Sequence, residues 1–81
     1  MKYFFVAFSS RSQAMRLFES LKRACITASL INTPKAASLG CGLSVKFGPC
    51  DFVRVSETVK CDGYTAVHGF FEYSCGAVHR L

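Results

Sequence analysis

The chain has 81 residues, with ten Lys or Arg against five Asp or Glu and a net charge of +5. A chain of this length forms one domain and leaves no room for a second domain or a large catalytic cleft. Hydrophobic residues make up 51% and charged residues 19%, which excludes a disordered chain. The basic residues are scattered, so a polybasic arm is excluded as well. A diffuse attraction to nucleic acid, nucleotides or acidic proteins is not excluded.

The longest apolar run, residues 3–8, is too short to cross a membrane or to act as an export signal. We therefore expect a cytoplasmic location, no membrane contact and reduced thiols. The number of cysteines is odd and no C-x-x-C pair is present, so neither a closed disulfide framework nor a metal site is expected. The cysteines are Cys25, Cys41, Cys50, Cys61 and Cys75.

The first half of the chain predicts a strand, a helix and a second strand. Residues 3–8 are mainly aromatic and β-branched, which favours a buried strand. Ser10 and Gln13 have the spacing of a capping box, and apolar residues at helical intervals follow as far as Cys25. Cys25 ends that apolar face, so we expect it to be buried in the core. Residues 27–31 are β-prone and form the second strand.

The second half predicts a strand, a weaker helix and a last strand. Residues 43–47 alternate apolar and polar side chains, as a half-buried strand does. After a Gly-Pro break, a helix rich in β-branched residues opens at Cys50 or Asp51. The last strand covers 65–73. Residues 74–81 have no clear pattern and are expected to fray.

The order β-α-β-β-α-β predicts the α+β fold class. With right-handed crossovers it gives a ferredoxin-like sandwich, a four-stranded antiparallel sheet with both helices on one face. The domain 1–81 then has its core at about 3–73 and a C-terminal tail at 74–81. The other sheet face is solvated or pairs with a second subunit, so a homodimer is compatible with the sequence. Strands two and three are not expected to be hairpin neighbours.

The connection between strands two and three is unusually long. It spans residues 32–42, about ten residues, whereas about four to six are typical, and long loops on small scaffolds are often functional. Cys41 stands between Gly40 and Gly42, so it has little side-chain cover and a partner can approach closely. Neighbouring backbone N–H groups and Lys35 favour the thiolate, the reactive form of cysteine. The alternative is that Cys41 is only a small residue at a strand start.

The segment 33–47 resembles the signature of a known family. It reads T-P-K-x-x-S-x-x-C-G-L-S-V-K-F, which is similar to the T-P-R-x-x-S-x-x-C-G-L-A-L segment of small bacterial proteins called selenium/sulfur carrier-like. The resemblance covers about residues 3–73 and is strongest across 33–47. It implies that Cys41 carries a persulfide or perselenide between a donor enzyme, such as a cysteine desulfurase, and an acceptor protein.

This resemblance also implies the roles of the other motif residues. Cys41 is the transfer thiol and Lys35 assists it electrostatically, while the remaining residues bind or shape the loop: Thr33, Pro34, Ser38, Gly40 and Gly42. No metal or cofactor is expected beyond the covalent persulfide or perselenide. Sulfur acceptance needs no general base, so the absence of a nearby His/Asp pair fits a carrier better than a self-sufficient enzyme.

The chain departs from the family pattern in three respects. Lys35 replaces the usual arginine and loses its bidentate geometry. Cys25 stands where a helix-ending glycine is common. Cys50, Cys61 and Cys75 are thiols outside the motif. Cys50 and Cys61 bracket the second helix and are too far apart to pair. Cys75 lies near the end, a position compatible with exposure, and is the best candidate for a resolving thiol or for an adventitious intermolecular bridge.

Two other functions stay open at this point. The chain could be a non-catalytic interaction module that dimerises or binds a partner through its open sheet face, with Cys41 incidental. It could also bind single-stranded RNA, since residues 68–73 are similar to an aromatic RNA-binding strand. These aromatics lie on the last strand, and the third strand offers Ser44 and Lys46 on its open face, so nucleic acid is not expected as a partner.

Overall fold

The computed structural model describes residues 2–33 and 42–81. Within them the chain forms two helices and a five-stranded antiparallel sheet, so the predicted α+β class is confirmed and the prediction of four strands is wrong. The elements in chain order are β1 (Lys2–Phe8), α1 (Arg11–Arg23), β2 (Ala28–Asn32), β3 (Leu43–Phe47), α2 (Phe52–Asp62), β4 (Val67–Ser74) and β5 (Ala77–Arg80). A short 3-10 turn, Pro49–Asp51, precedes α2.

The strands lie side by side in the order β2-β3-β1-β4-β5, and each neighbouring pair is antiparallel. β2 and β3 are therefore direct neighbours, contrary to the expectation from the sequence. The segment 74–81, expected to fray, instead carries β5, which pairs with β4. The turn between them is Cys75-Gly76, with φ of 51° and 80°. Two successive positive φ values are typical of a type I′ hairpin turn.

The main core lies between the helices and one face of the sheet. Apolar residues three or four apart on α1 face the strands, as an amphipathic helix requires. The fully buried members are Val6, Phe8, Ala14, Leu17, Leu21, Val45, Phe47 and Val55. Both helices thus pack on the same sheet face, as predicted. In the part of the chain that the structure describes, no helix is long and apolar enough to cross a membrane.

The start of α1 is fixed by Ser10 and Gln13. The Gln13 N–H donates to Ser10 Oγ at 3.3 Å, which confirms the predicted N-cap. The Gln13 side chain does not return to Ser10, as a full capping box would require. Its Oε1 instead accepts from the backbone N–H groups of Thr65 and Ala66 at 3.1 and 2.9 Å. Gln13 therefore ties the start of α1 to the segment that leads into β4.

Cys25 is exposed, so the prediction that it belongs to the core is wrong. Ala24 caps α1, and Cys25 takes a left-handed conformation with φ of 61°. The Cys25 N–H donates to Lys22 O at 3.0 Å and the Ile26 N–H to Leu21 O at 2.9 Å, the two bonds of a Schellman motif. Cys25 thus occupies the helix-ending position that glycine usually takes, and it is exposed there.

Candidate functional site

The long connection between β2 and β3 is closed by a hydrogen-bonded residue pair. Thr33 follows β2, Gly42 precedes β3, and the Thr33 N–H donates to the Gly42 carbonyl oxygen at 3.1 Å. This pair continues the β2–β3 register, in which Asn32 faces Leu43. The eight residues between them, 34–41, lie outside the described residues. The structure therefore defines where this loop begins and where it ends.

Two hydroxyl groups hold this closure together. Thr33 Oγ1 and Ser44 Oγ lie 2.8 Å apart, within hydrogen-bond distance. Ser44 is 0% exposed, so its hydroxyl needs a partner inside the protein, and Thr33 is the partner. A buried hydroxyl left without one would cost about 1–3 kcal/mol. The bond therefore fixes the position of the Thr33 side chain at the end of β2.

Gly42 lies too close to β1 to carry a side chain. A Cβ atom at this position would be 2.6 Å from the carbonyl oxygen of Phe8, a separation that real Cβ atoms essentially never show. Only glycine allows this approach of two backbones. The residue bonded to Cys41 is thereby held against the end of β1. We call Thr33, Gly42, Ser44 and Phe8 the loop base.

Of the predicted site residues, the structure describes Thr33 and Gly42 and places them side by side. The others lie outside the described residues, and their roles stay predictions: Pro34, Lys35, Ser38, Gly40 and Cys41. Sequence reasoning placed Ser44 on the open face but did not assign it or Phe8 to the site. The alternation of β3 gives the face of Ser44, whereas its bond to Thr33 depends on the pairing of two strands.

Comparison with known protein families assigns the chain to a family. The family model described as "Putative Se/S carrier protein-like" matches residues 2–67, which is more than half of the sequence. The chain belongs to this family. The matched region runs from β1 to the start of β4 and includes the loop base. No curated protein and no solved structure matches the chain.

The Se/S carrier-like domain exposes four thiols outside the segment 34–41. Within residues 2–33 and 42–81, Cys25, Cys50, Cys61 and Cys75 are all free and all exposed. The predicted exposure of Cys75 is confirmed, and the residue lies in the β4–β5 turn. Four accessible thiols mean that a modifying reagent can reach several sites. Any assignment of a reactive cysteine in this domain therefore needs peptide mapping.

The sheet face away from the helices carries two aromatic pairs, and Phe5 and Phe71 among them belong to a second buried cluster. Tyr3 stacks on Tyr73 with ring centroids 4.9 Å apart, and Phe5 stacks on Phe71 at 5.3 Å. Lys46 Nζ lies 4.6 Å from the Tyr3 ring centroid. Burial raises the pKa of the Tyr3 hydroxyl, and Tyr73 adds to the rise. The ring faces of Tyr3 are thus taken by its neighbours, whereas stacking on nucleic-acid bases uses free ring faces.

A cavity of about 460 Å³ lies on the helix side, beside Arg16 and Arg23. Three of its polar side chains bond to one another, since Asp62 Oδ2 accepts from Ser20 Oγ at 3.4 Å and from the Tyr64 hydroxyl at 3.1 Å, and Glu19 also lines the cavity. Burial, followed by the bond to Asp62, raises the pKa of Tyr64. No cluster of three metal-ligating side chains occurs in the described ranges. This cavity therefore offers surface hydrogen bonds and no paired nucleophile and base.

Proposed function

We propose that this protein carries sulfur or selenium on Cys41, as a persulfide or a perselenide. The observation that carries the proposal is the membership of residues 2–67 in the Se/S carrier-like family. The loop base supports it, because Gly42 and Thr33 anchor both ends of the link that contains Cys41. A thiol on a link with fixed ends can enter the active site of another protein while the sheet stays intact.

The transfer is a thiol exchange in which sulfur moves and no external oxidant takes part. The Cys41 thiolate attacks the terminal sulfur of a persulfide on the donor enzyme. A new S–S bond forms on Cys41, the donor S–S bond breaks, and the donor cysteine leaves as a thiolate. An acceptor thiolate then attacks the terminal sulfur on Cys41 and releases the Cys41 thiolate. Terminal selenium follows the same sequence of bond changes.

We expect positive charge near the loop base to favour the thiolate form that this chemistry needs. α1 begins at Arg11, three residues after Phe8, and its first turn contains no acidic residue. The N-terminus of a helix carries a partial positive charge, and such surroundings lower the pKa of a cysteine. Lys35 adds a positive charge six residues before Cys41. Both features support a Cys41 that reacts at neutral pH.

Mass spectrometry tests the proposal directly. The reduced protein is incubated with a cysteine desulfurase and cysteine, and its intact mass and peptide map are recorded. One added sulfur is expected on the peptide that contains Cys41. Because four other thiols are exposed, a matched variant with all four replaced by serine keeps only Cys41: Cys25→Ser, Cys50→Ser, Cys61→Ser and Cys75→Ser. This variant is expected to load as the natural protein does.

The second variant, Cys41→Ser, is expected to lose loading while its circular dichroism spectrum stays unchanged. Sulfur distributed over the exposed cysteines, or retained in Cys41→Ser, would contradict the proposal. An unfolded Cys41→Ser variant together with an unloaded four-serine variant would assign Cys41 a structural role instead. Repeating the incubation with a selenocysteine lyase and selenocysteine separates a selenium carrier from a sulfur carrier.

A further inference from the structure

The two edges of the sheet differ in how they are protected. β5, at one edge, is four residues long and ends in His79 and Arg80. β2, at the other edge, reads ASLIN over five residues and contains no charge and no proline. Natural proteins block exposed edges with charges, prolines or bulges. Among residues 2–33 and 42–81, β2 is an edge strand that pairs with β3 on one side.

The register of β2 shows which of its backbone groups point outward. In an antiparallel pair, residues that exchange hydrogen bonds alternate with residues that do not. Thr33 bonds to Gly42, so every second residue back along β2 bonds to β3 in the same way. The N–H and C=O groups of Ala28, Leu30 and Asn32 therefore point away from the sheet. Together they form a row of donors and acceptors for an added strand.

A cavity flanks this edge on each side of the sheet. One, of about 230 Å³, is lined by Tyr3 and Lys46 on the open face and by Ala28 of β2. The other, of about 360 Å³, lies on the helix side and is lined by Phe18, Lys22 and again Ala28. Each cavity combines an aromatic ring with a lysine, and none of the described residues that line them is a carboxylate. The β2 edge thus has apolar and positively charged surface on both faces of the sheet.

We propose that β2 binds an extended segment of a partner protein, rich in acidic and aliphatic residues, by strand addition. The backbone of the segment pairs with the outward groups of β2, and its alternate side chains enter the two cavities. Ala28 and Phe18 contact aliphatic side chains, while Lys46 and Lys22 attract carboxylates. A second copy of this chain fits less well, because each copy carries a net charge of +5. Binding of the segment to β2 requires no sulfur on Cys41.

Hydrogen exchange on the whole protein tests the inference. The amide exchange rates of the isotopically labelled chain are measured by NMR in the presence of a short peptide in which glutamate and valine alternate. The control measurement uses a peptide of alternating lysine and valine. When the concentration of the acidic peptide is about ten times its dissociation constant, the amides of Leu30 and Asn32 should exchange about tenfold more slowly than in the free protein. The outward amides of Val78 and Arg80, on the other edge, should exchange at unchanged rates.

A charge reversal supplies the matched comparison. Lys46→Glu should weaken binding of the acidic peptide roughly five- to tenfold, because attraction becomes repulsion. Lys60→Glu makes the same change on the exposed surface of α2, away from both cavities, and should leave binding unchanged. Equal protection by the lysine peptide, or unchanged Leu30 and Asn32 amides, would overturn the inference. If the outward amides of β2 were already protected without peptide, and the protein in solution had twice the mass of one chain, a second copy of the chain would be the partner and the inference would be wrong.

Discussion

Both hairpins of the sheet contain a cysteine followed by a glycine, and the two glycines are needed for different reasons. Gly76, in the β4–β5 turn, has φ of 80° and open space where a Cβ would lie. At Gly42, in the loop base, a Cβ would collide with the Phe8 carbonyl oxygen. One glycine serves backbone conformation and the other serves close packing. The Cys-Gly dipeptide therefore has different structural roles in the two hairpins.

The lengths of the two connections also differ. β4 and β5 are joined by Cys75-Gly76, and two residues are enough to connect adjacent antiparallel strands. β2 and β3 are equally adjacent, yet eight residues separate Thr33 from Gly42. The extra residues are not required to make the sheet. Their presence favours a role for the β2–β3 link beyond connection, which agrees with a transfer thiol at Cys41.

The largest effect is expected from Gly42→Ala. The added methyl group meets a backbone oxygen, which cannot move aside as a flexible side chain can, so the variant should lose about 2–3 kcal/mol of unfolding free energy. Urea unfolding followed by circular dichroism measures the loss. Gly48→Ala is the matched control, at the other end of β3, where φ is −78° and no atom lies within 4 Å of the added Cβ. It should be neutral or stabilising by up to about 1 kcal/mol. Equal stabilities of the two variants would show that the contact with β1 is not tight.

A smaller loss is expected from Gly76→Ala. Alanine must adopt the left-handed conformation there, which costs about 1–2 kcal/mol, although no atom obstructs its methyl group. Gly76→Asn should lose less, because asparagine tolerates this conformation. The same urea titration compares them. If alanine and asparagine reduced stability equally, backbone conformation would not be the reason for glycine at this turn, and the contrast with Gly42 would fail.

Local patterns in the sequence predicted most of the elements. The alternation over 43–47 gave β3 with its observed bounds, and the apolar spacing and Ser10 gave α1. β5 was missed because its turn is Cys-Gly, whereas the usual type I′ signal is Asn-Gly or Asp-Gly. Cys25 was misplaced because an apolar helical spacing does not show where the helix stops. In each miss, the deciding feature was a positive φ at a residue other than glycine.

The loop base was only partly predictable, for a different reason. Thr33 and Gly42 belong to the motif and could be named from the sequence. The bond from Thr33 to Ser44 and the approach of Gly42 to Phe8 depend on strand pairing, which brings together residues far apart in the chain. Sequence spacing contains no direct signal for either contact. The motif therefore names the candidate residues, while the register shows which contacts Thr33 and Gly42 make.

The smallest expected effect comes from Cys75→Asn, and it sharpens the contrast between the two Cys-Gly pairs. Cys75 has φ of 51°, a conformation that asparagine adopts more readily, so the variant should gain roughly 0.5 kcal/mol in unfolding free energy. Sulfur loading should be unchanged, since we propose Cys41 and not the turn residue as the transfer thiol. Cys75→Ser removes the thiol without the turn preference and should leave stability and loading as they are. Loss of loading in both variants would instead make Cys75 a resolving thiol for Cys41, and the two hairpins would then act as one functional unit.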